Sequence, residues 1–252
     1  MLGRLILLGL AIVFATNAAA AQPVIDMHLH ASAPDDQGPP PMAMCTPLAA
    51  MPVWDQRTPY PPQFLAMFKE PACKDPVWSP TTEQELLART VAEMKRFHVA
   101  GVLSGTPARV AAWKKAAPER FLSGLDFNIG RGYSLEQVER LYKAGTLDVL
   151  AEVTTQYEGI APTDPRLEPY WAFAEKMDIP VGIHIGTGPP GVIYMGAEGY
   201  RARLHSALTL EDVLVKHPRL RVYVMHAGYP MIDDMLALMY AHPQVYVDTG
   251  VI

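Results

Sequence analysis

Cysteine is nearly absent from this chain: Cys45 and Cys73 are the only two among 252 residues, and both fall in one proline-rich segment. Their spacing is not that of a zinc knuckle, and no lipidation-type cysteine follows the N-terminal leader, so metal binding or anchoring through them is not expected. An oxidising compartment would allow the two to pair, and pairing stays open at this level. Long apolar runs are equally scarce. Only residues 5–15 form one, and it is too short to span a bilayer comfortably. Positive charge is not in excess either. With 21 Lys and Arg against 26 Asp and Glu, the net charge of −5 offers no footprint for nucleic acid.

The scarcity of apolar runs gives residues 1–21 their meaning. Arg4 supplies a positive end, residues 5–15 an apolar stretch, and Ala19, Ala20 and Ala21 a small-residue cleavage site, which together read as a signal peptide. The mature chain then begins near Gln22 and is expected to be periplasmic or secreted, with no membrane attachment after cleavage. Roughly 230 residues remain, and half the sequence is apolar, enough for one sizeable core and one barrel-sized domain.

Residues 31–79 interrupt that domain as a proline-rich loop insertion, with Pro39, Pro40 and Pro41 and then Pro59, Pro61 and Pro62. Loops this long in a compact domain usually cover a site. The insertion's Trp54, Tyr60, Phe64, Phe68 and Trp78 either cover a pocket or pin the loop to the wall. From Ser79 onward helices and strands alternate. Thr82 with Glu85 opens a helix running to about Phe97, residues 99–104 are a strand, residues 108–117 a helix, and residues 121–127 a strand. Ser134 with Gln137 opens a helix that Gly145 closes, and residues 147–153 form the next strand. Asp164 and Pro165 start another helix. Counting residues 24–30 as the first strand, residues 180–184 are the fifth, Thr209 is expected to cap the next helix, and residues 221–226 are the sixth strand. Residues 231–240 are helical, and residues 245–248 make a seventh strand. Apolar strands separated throughout by helices predict a parallel sheet covered on its outer side, an α/β barrel of TIM type with seven of eight strands present. The record reads as truncated at its C-terminus, lacking a helix and the eighth strand.

Three of these strands finish in histidine. His28 and His30 lie two apart in an extended run, so both imidazoles point to one side and can share one metal ion. His184 and His226 end the fifth and sixth strands. A parallel barrel gathers the C-terminal ends of its strands at one mouth, where four scattered histidines can meet.

His28-Leu29-His30, Glu152 in strand four, His184, and His226 within Val224-Met225-His226-Ala227-Gly228 resemble the amidohydrolase superfamily. The wording of residues 179–184 is similar to its amidohydrolase-related branch, which includes aminocarboxymuconate-semialdehyde decarboxylase. The resemblance spans essentially the whole mature chain and implies a distorted (β/α)8 barrel with a divalent metal, commonly zinc. It implies that His28, His30 and His184 are ligands and that His226 orients the attacking water or stabilises an oxyanion. Glu152 occupies a position that bridges metals in binuclear members. It is either an oxygen ligand or an acceptor for a metal-bound histidine. The strand-eight aspartate of the family has no counterpart, since Asp248 ends strand seven and is not assigned that role.

The other polar residues are read as structural. Asp26 is expected to point away from the histidines and bond within the barrel wall. His98, His217 and His242 are placed at strand or helix ends, and His205, in the excursion after the fifth strand, either meets substrate or is a solvated loop histidine. Arg131, Arg201 and Arg203 either grip a substrate carboxylate or make surface ion pairs. Three activities fit. The first is a metal-dependent hydrolase in which activated water attacks an amide, ester or lactone carbonyl of a small molecule. The second is a non-oxidative decarboxylase of an unsaturated or aromatic acid, which an arginine at the mouth would favour. The third is a catalytically dead barrel that binds a ligand. A homo-oligomer is compatible with each.

Overall fold

The computed structural model describes residues 24–45, 51–129 and 132–250. The expected signal peptide therefore lies outside the described residues, as does Arg131. No helix among the described residues is long and apolar enough to cross a membrane.

Among the described residues seven parallel strands form the wall. In one sheet β1 (Val24–His30) pairs with β4 (Val99–Ser104), and β4 with β5 (Phe121–Ser123). In the other, β6 (Leu150–Val153), β7 (Val181–His184), β8 (Val222–Met225) and β9 (Val245–Val247) pair in sequence order. A parallel bridge between Phe127 and Val153 joins the two sheets. The intervening strands β2 (Ala43–Met44) and β3 (Val77–Trp78) form a separate antiparallel pair. The expected strand over residues 121–127 is regular only to Ser123. It continues irregularly because Gly124 passes between its neighbours: a Cβ there would lie 2.7 Å from the Ala151 carbonyl oxygen and 2.9 Å from that of Leu103.

Helices cover the outer face. α2 (Glu83–Arg96) is capped by Thr82, whose hydroxyl accepts from Glu85 N–H at 3.2 Å. α3 (Pro107–Ala116) starts on proline, where a missing N–H costs nothing. α4 (Leu135–Lys143) carries the expected Ser134–Gln137 capping box. Two starts differ from expectation. α5 spans Glu168–Met177, because the Asp164 carboxylate is engaged by its own turn, accepting from Arg166 N–H and the Arg166 guanidinium. α6 spans Glu211–Lys216 without a side-chain cap, because a 3-10 turn over Ala207–Leu210 intervenes and the Thr209 hydroxyl donates to the Ser206 carbonyl. α7 spans Ile232–Ala241.

The main core lies between the β6–β9 sheet and its helices, centred on Phe127, Trp171, Ile183, Leu214 and Val224. Inside the barrel Tyr223 reaches from β8 to donate its hydroxyl hydrogen to the Met27 carbonyl of β1 at 2.9 Å. Gly182 makes room for that ring, since a Cβ there would lie 2.3 Å from it. Among the described residues neither β9 nor the far edge of β1 has a second strand partner. The seam between them leaves Val24 and Ile25 exposed at 59% and 51%.

The insertion is more ordered than a loop. It contains α1 (Tyr60–Lys69), the β2–β3 pair, and a disulfide between Cys45 and Cys73. Trp54 stacks on Tyr194 with ring centroids 4.1 Å apart, and Tyr60 donates to the Pro190 carbonyl at 3.0 Å. The insertion's aromatics thus pin it to the segment after β7.

Candidate functional site

The C-terminal ends of the strands open into a cavity of about 1760 Å³. It is larger than a typical ligand pocket because it runs on into the seam between β1 and β9, where Val24 and Val247 line it. Its floor holds His28 and His30 from β1, Glu152 from β6, His184 from β7 and His226 just past β8. The register explains the convergence. His30 sits opposite Ser104 at the end of β4, and His184 opposite Met225 at the end of β8, so parallel strands ending at one level deliver their last side chains together.

One Glu152 oxygen lies 3.6 Å from His28 Nε2 and 3.5 Å from His30 Nε2, and its other oxygen lies 4.0 Å from His184 Nε2. Donor atoms of His28, His30 and Glu152 all fall within 4.8 Å of one another. His184 joins this group through Glu152 and through His226, whose Nε2 is 3.1 Å from His184 Nε2. Two imidazole nitrogens and a carboxylate oxygen are a donor set suited to a borderline divalent ion such as zinc, and also to manganese.

The charges are closely coupled. Burial alone would lower the pKa of His28, but hydrogen bonding to Asp248 and Glu152 outweighs it and lifts the value to about 9. Burial pushes the Glu152 carboxyl up, yet His28, with His184 and His30, holds it down at about 2. His184 is driven down to about 3, by burial first. Partial desolvation also lowers His30, the most exposed of the four. His226 Nδ1 donates to the Gly250 carbonyl at 2.6 Å, which leaves its Nε2 facing the cavity.

Two placements correct the sequence reading, those of Asp26 and His205, and Asp248, which follows the seventh strand as expected, extends it. Asp248 is at the site: its Oδ2 lies 3.3 Å from His28 Nδ1, while its other oxygen accepts from Gly250 N–H at 2.7 Å. Asp26 does not face away. It shares the parity of His28 and His30, lines the same cavity, and accepts from the His28 backbone N–H at 2.9 Å. His205 is not solvated but wholly buried beside Tyr157, Tyr200 and His184. His217 lies outside the site, as expected, bridging Glu168 and Glu175 at 3.1 Å each. Arg201 donates to the backbone carbonyls of Glu198 and Tyr200, and neither it nor Arg203 is among the described cavity-lining residues.

Tyr157 escaped the sequence reading. Its hydroxyl lies 3.1 Å from His184 Nε2, and burial pushes its pKa above the ordinary tyrosine value, so it remains a donor at neutral pH. Its place four residues beyond strand four was the one available signal.

A parallel barrel with histidines and a carboxylate gathered at its C-terminal mouth defines a class of metal-site TIM-barrel proteins. Within that class the chain belongs to the amidohydrolase family, whose model matches residues 25–252. No curated protein matches. Among solved structures, an uncharacterised TIM-barrel protein from Bordetella bronchiseptica is 22% identical with a TM-score of 0.50, over 66% of this chain and 60% of that one. The chain thus spans under two thirds of that structure. A probable 2-pyrone-4,6-dicarboxylic acid hydrolase from Acinetobacter baumannii is 14% identical with a TM-score of 0.48, over 91% of this chain and 71% of that one. The IDCase of Metarhizium anisopliae is 14% identical with a TM-score of 0.48, over 92% and 78%.

Proposed function

We propose that the chain is a divalent-metal-dependent hydrolase acting outside the cytoplasm on the carbonyl of a small amide, ester or lactone. The observation that carries this reading is the convergence of His28, His30 and Glu152 donor atoms within 4.8 Å, with His184 and His226 beside them. His28, His30, His184 and Glu152 would hold the ion, and Asp248 backs His28. Bound there, a divalent ion supplies Lewis acidity, polarising a carbonyl and making water more acidic.

The chain's own residues supply the rest. His226, with Nδ1–H committed to Gly250, presents Nε2 as the acceptor for a proton from attacking water. The Tyr157 hydroxyl donates towards oxygen that gains negative charge at the carbonyl. The Thr187–Pro190 segment and the insertion residues Asp36 and Gln37 form the rim that limits solvent access. The disulfide within the insertion supports an oxidising, extracytoplasmic location.

The test is purification followed by metal analysis, then a panel of amides, esters and lactones assayed with zinc or manganese. Turnover that disappears with a chelator, returns with metal and is lost in His28→Ala supports the proposal. Release of carbon dioxide from aromatic or unsaturated acids, without hydrolysis, would replace it by the decarboxylase reading.

A further inference from the structure

The rim of the cavity has two pieces, and one short helix holds both. Asp36 and Gln37 come from the insertion, and Pro189 and Pro190 from the segment after β7. Each piece is fastened to the rest of the domain. The Asp36 carboxylate accepts from Ala33 N–H at 2.7 Å and meets the Arg109 guanidinium of α3 at 3.5 Å. Across the mouth, Thr187 N–H donates to the Tyr229 carbonyl at 3.0 Å and Gly188 N–H to the Tyr200 hydroxyl at 3.3 Å.

α1 supplies a further contact to each piece, one from each of its ends. Tyr60, its first residue, is buried and donates its hydroxyl hydrogen to the Pro190 carbonyl at 3.0 Å. Gly191 follows at a φ of +75°, and a Cβ there would lie 2.3 Å from Tyr60 Cε1, so the backbone runs directly against the ring. At the other end Lys69, the last residue, donates its ammonium to the Pro39 and Pro41 carbonyls, the second at 2.8 Å. A run of prolines has no N–H groups to build a ladder, so a side chain is left to satisfy its carbonyls. One turn earlier Leu65 packs against Gly38, where a Cβ would lie 3.1 Å from Leu65 Cδ2. Gly38 directly follows Gln37 of the rim. A helix of 10 residues rises about 15 Å and, unlike an irregular loop, cannot shorten without losing hydrogen bonds along its axis. Anchored at both ends, it keeps the two rim pieces a fixed distance apart.

We propose that α1 is a strut that holds the mouth at one width and so selects substrates by their breadth, with Tyr60 and Lys69 as its positioning residues. Tyr60 acts through Pro190, and Lys69 through the Pro39–Pro41 run. The bracing stands on these contacts alone, whereas the selection rests on the metal-site reading above. A mouth of fixed width admits compact molecules and turns away broad ones without any closing movement.

The test uses the whole protein and two variants that each release one end of the helix. Tyr60→Phe keeps the ring and loses the hydroxyl; Lys69→Met keeps the apolar stem and loses the ammonium. Amide hydrogen exchange of the metal-free protein should quicken by about fivefold in residues 187–196 for Tyr60→Phe and in residues 36–45 for Lys69→Met, with the β6–β9 sheet unchanged. Zinc-loaded protein is then titrated with acetohydroxamate and with the broader 2-naphthohydroxamate. In both variants the naphthyl probe should gain about threefold or more in affinity relative to acetohydroxamate, whose own binding stays within about twofold of wild type. A general weakening of the fold would lower both together. Lys69 is exposed, so Lys69→Met carries the test should Tyr60→Phe not fold. Exchange unchanged at both rim pieces would overturn the strut. Quickened exchange with the two probes still in their wild-type ratio would overturn the selection while leaving the metal site standing. Wild-type protein that takes up no zinc would sink the metal reading and the selection with it, and rim exchange would still decide the strut.

Discussion

Asp148 shows how single side chains fix the wall that carries the site. Its carboxylate accepts from Ser123 N–H at 2.7 Å and from the Lys114 ammonium at 2.9 Å, joining β5 to the start of the next strand. Partial burial pushes its pKa up, but the Ser123 and Lys114 bonds outweigh it and hold the value below that of an ordinary carboxylate. A depressed folded-state pKa means the stabilisation is complete above the unfolded value of about 3.9 and is lost as pH falls through the lower, folded value. Asp148→Asn should therefore cost about 1 kcal/mol near neutrality and flatten the acid limb, as measured by urea unfolding from pH 2 to 7. At the site itself, Glu152→Gln removes the charge shared by His28 and His30. Zinc affinity should fall by about 10–100-fold or more in a chelator competition, and because the fold holds Glu152 ionised well below the ordinary carboxylate value, the metal-free melting temperature at neutral pH should fall as well.

Among the elements, the insertion makes the sharpest prediction. Cys45 and Cys73 are 28 residues apart in sequence, and closing a loop of that size stabilises by about 3–4 kcal/mol in the chain-entropy picture. Replacing both by serine should lower resistance to urea and expose the segment around Trp54 to protease, with the β6–β9 sheet still protected from hydrogen exchange. The insertion is also where sequence and structure part most clearly. α1 was hidden because it begins Tyr60-Pro61-Pro62, and prolines that read as loop are tolerated in a first helical turn, whose N–H groups have no partner anyway. The strand-ending histidines were legible because each closes a continuous apolar run, and the capping residues Thr82 and Ser134 because each stands beside a periodic helix. His205 and Tyr157 were not, since the segments after β6 and β7 are chains of short 3-10 turns without periodicity. Asp248 was set aside by counting strands, whereas its position depends on how closely β9 approaches β1, a tertiary fact.

Among the described residues the barrel wall has seven strands and a seam between β1 and β9. Unpaired edges carrying exposed apolar side chains, here Val24 and Ile25 on β1 and Tyr246 at 63% exposure on β9, invite pairing with another chain. Protein made of these 252 residues alone should associate with rising concentration in sedimentation velocity, and Ile25→Lys should reduce that association; strictly monomeric behaviour would refute the expectation. The two sheets also share out the chemistry. The β1 sheet brings His28 and His30, the β6–β9 sheet brings Glu152, His184 and His226, and the Tyr223 hydroxyl on the Met27 carbonyl ties one to the other across the interior. The site is therefore a gauge of alignment between two half-shells. Mild heat or denaturant that lets the halves slip by an ångström should scatter the five donors while each half keeps its secondary structure, and Tyr223→Phe, which removes none of the five, should bring that loss of register to a lower temperature.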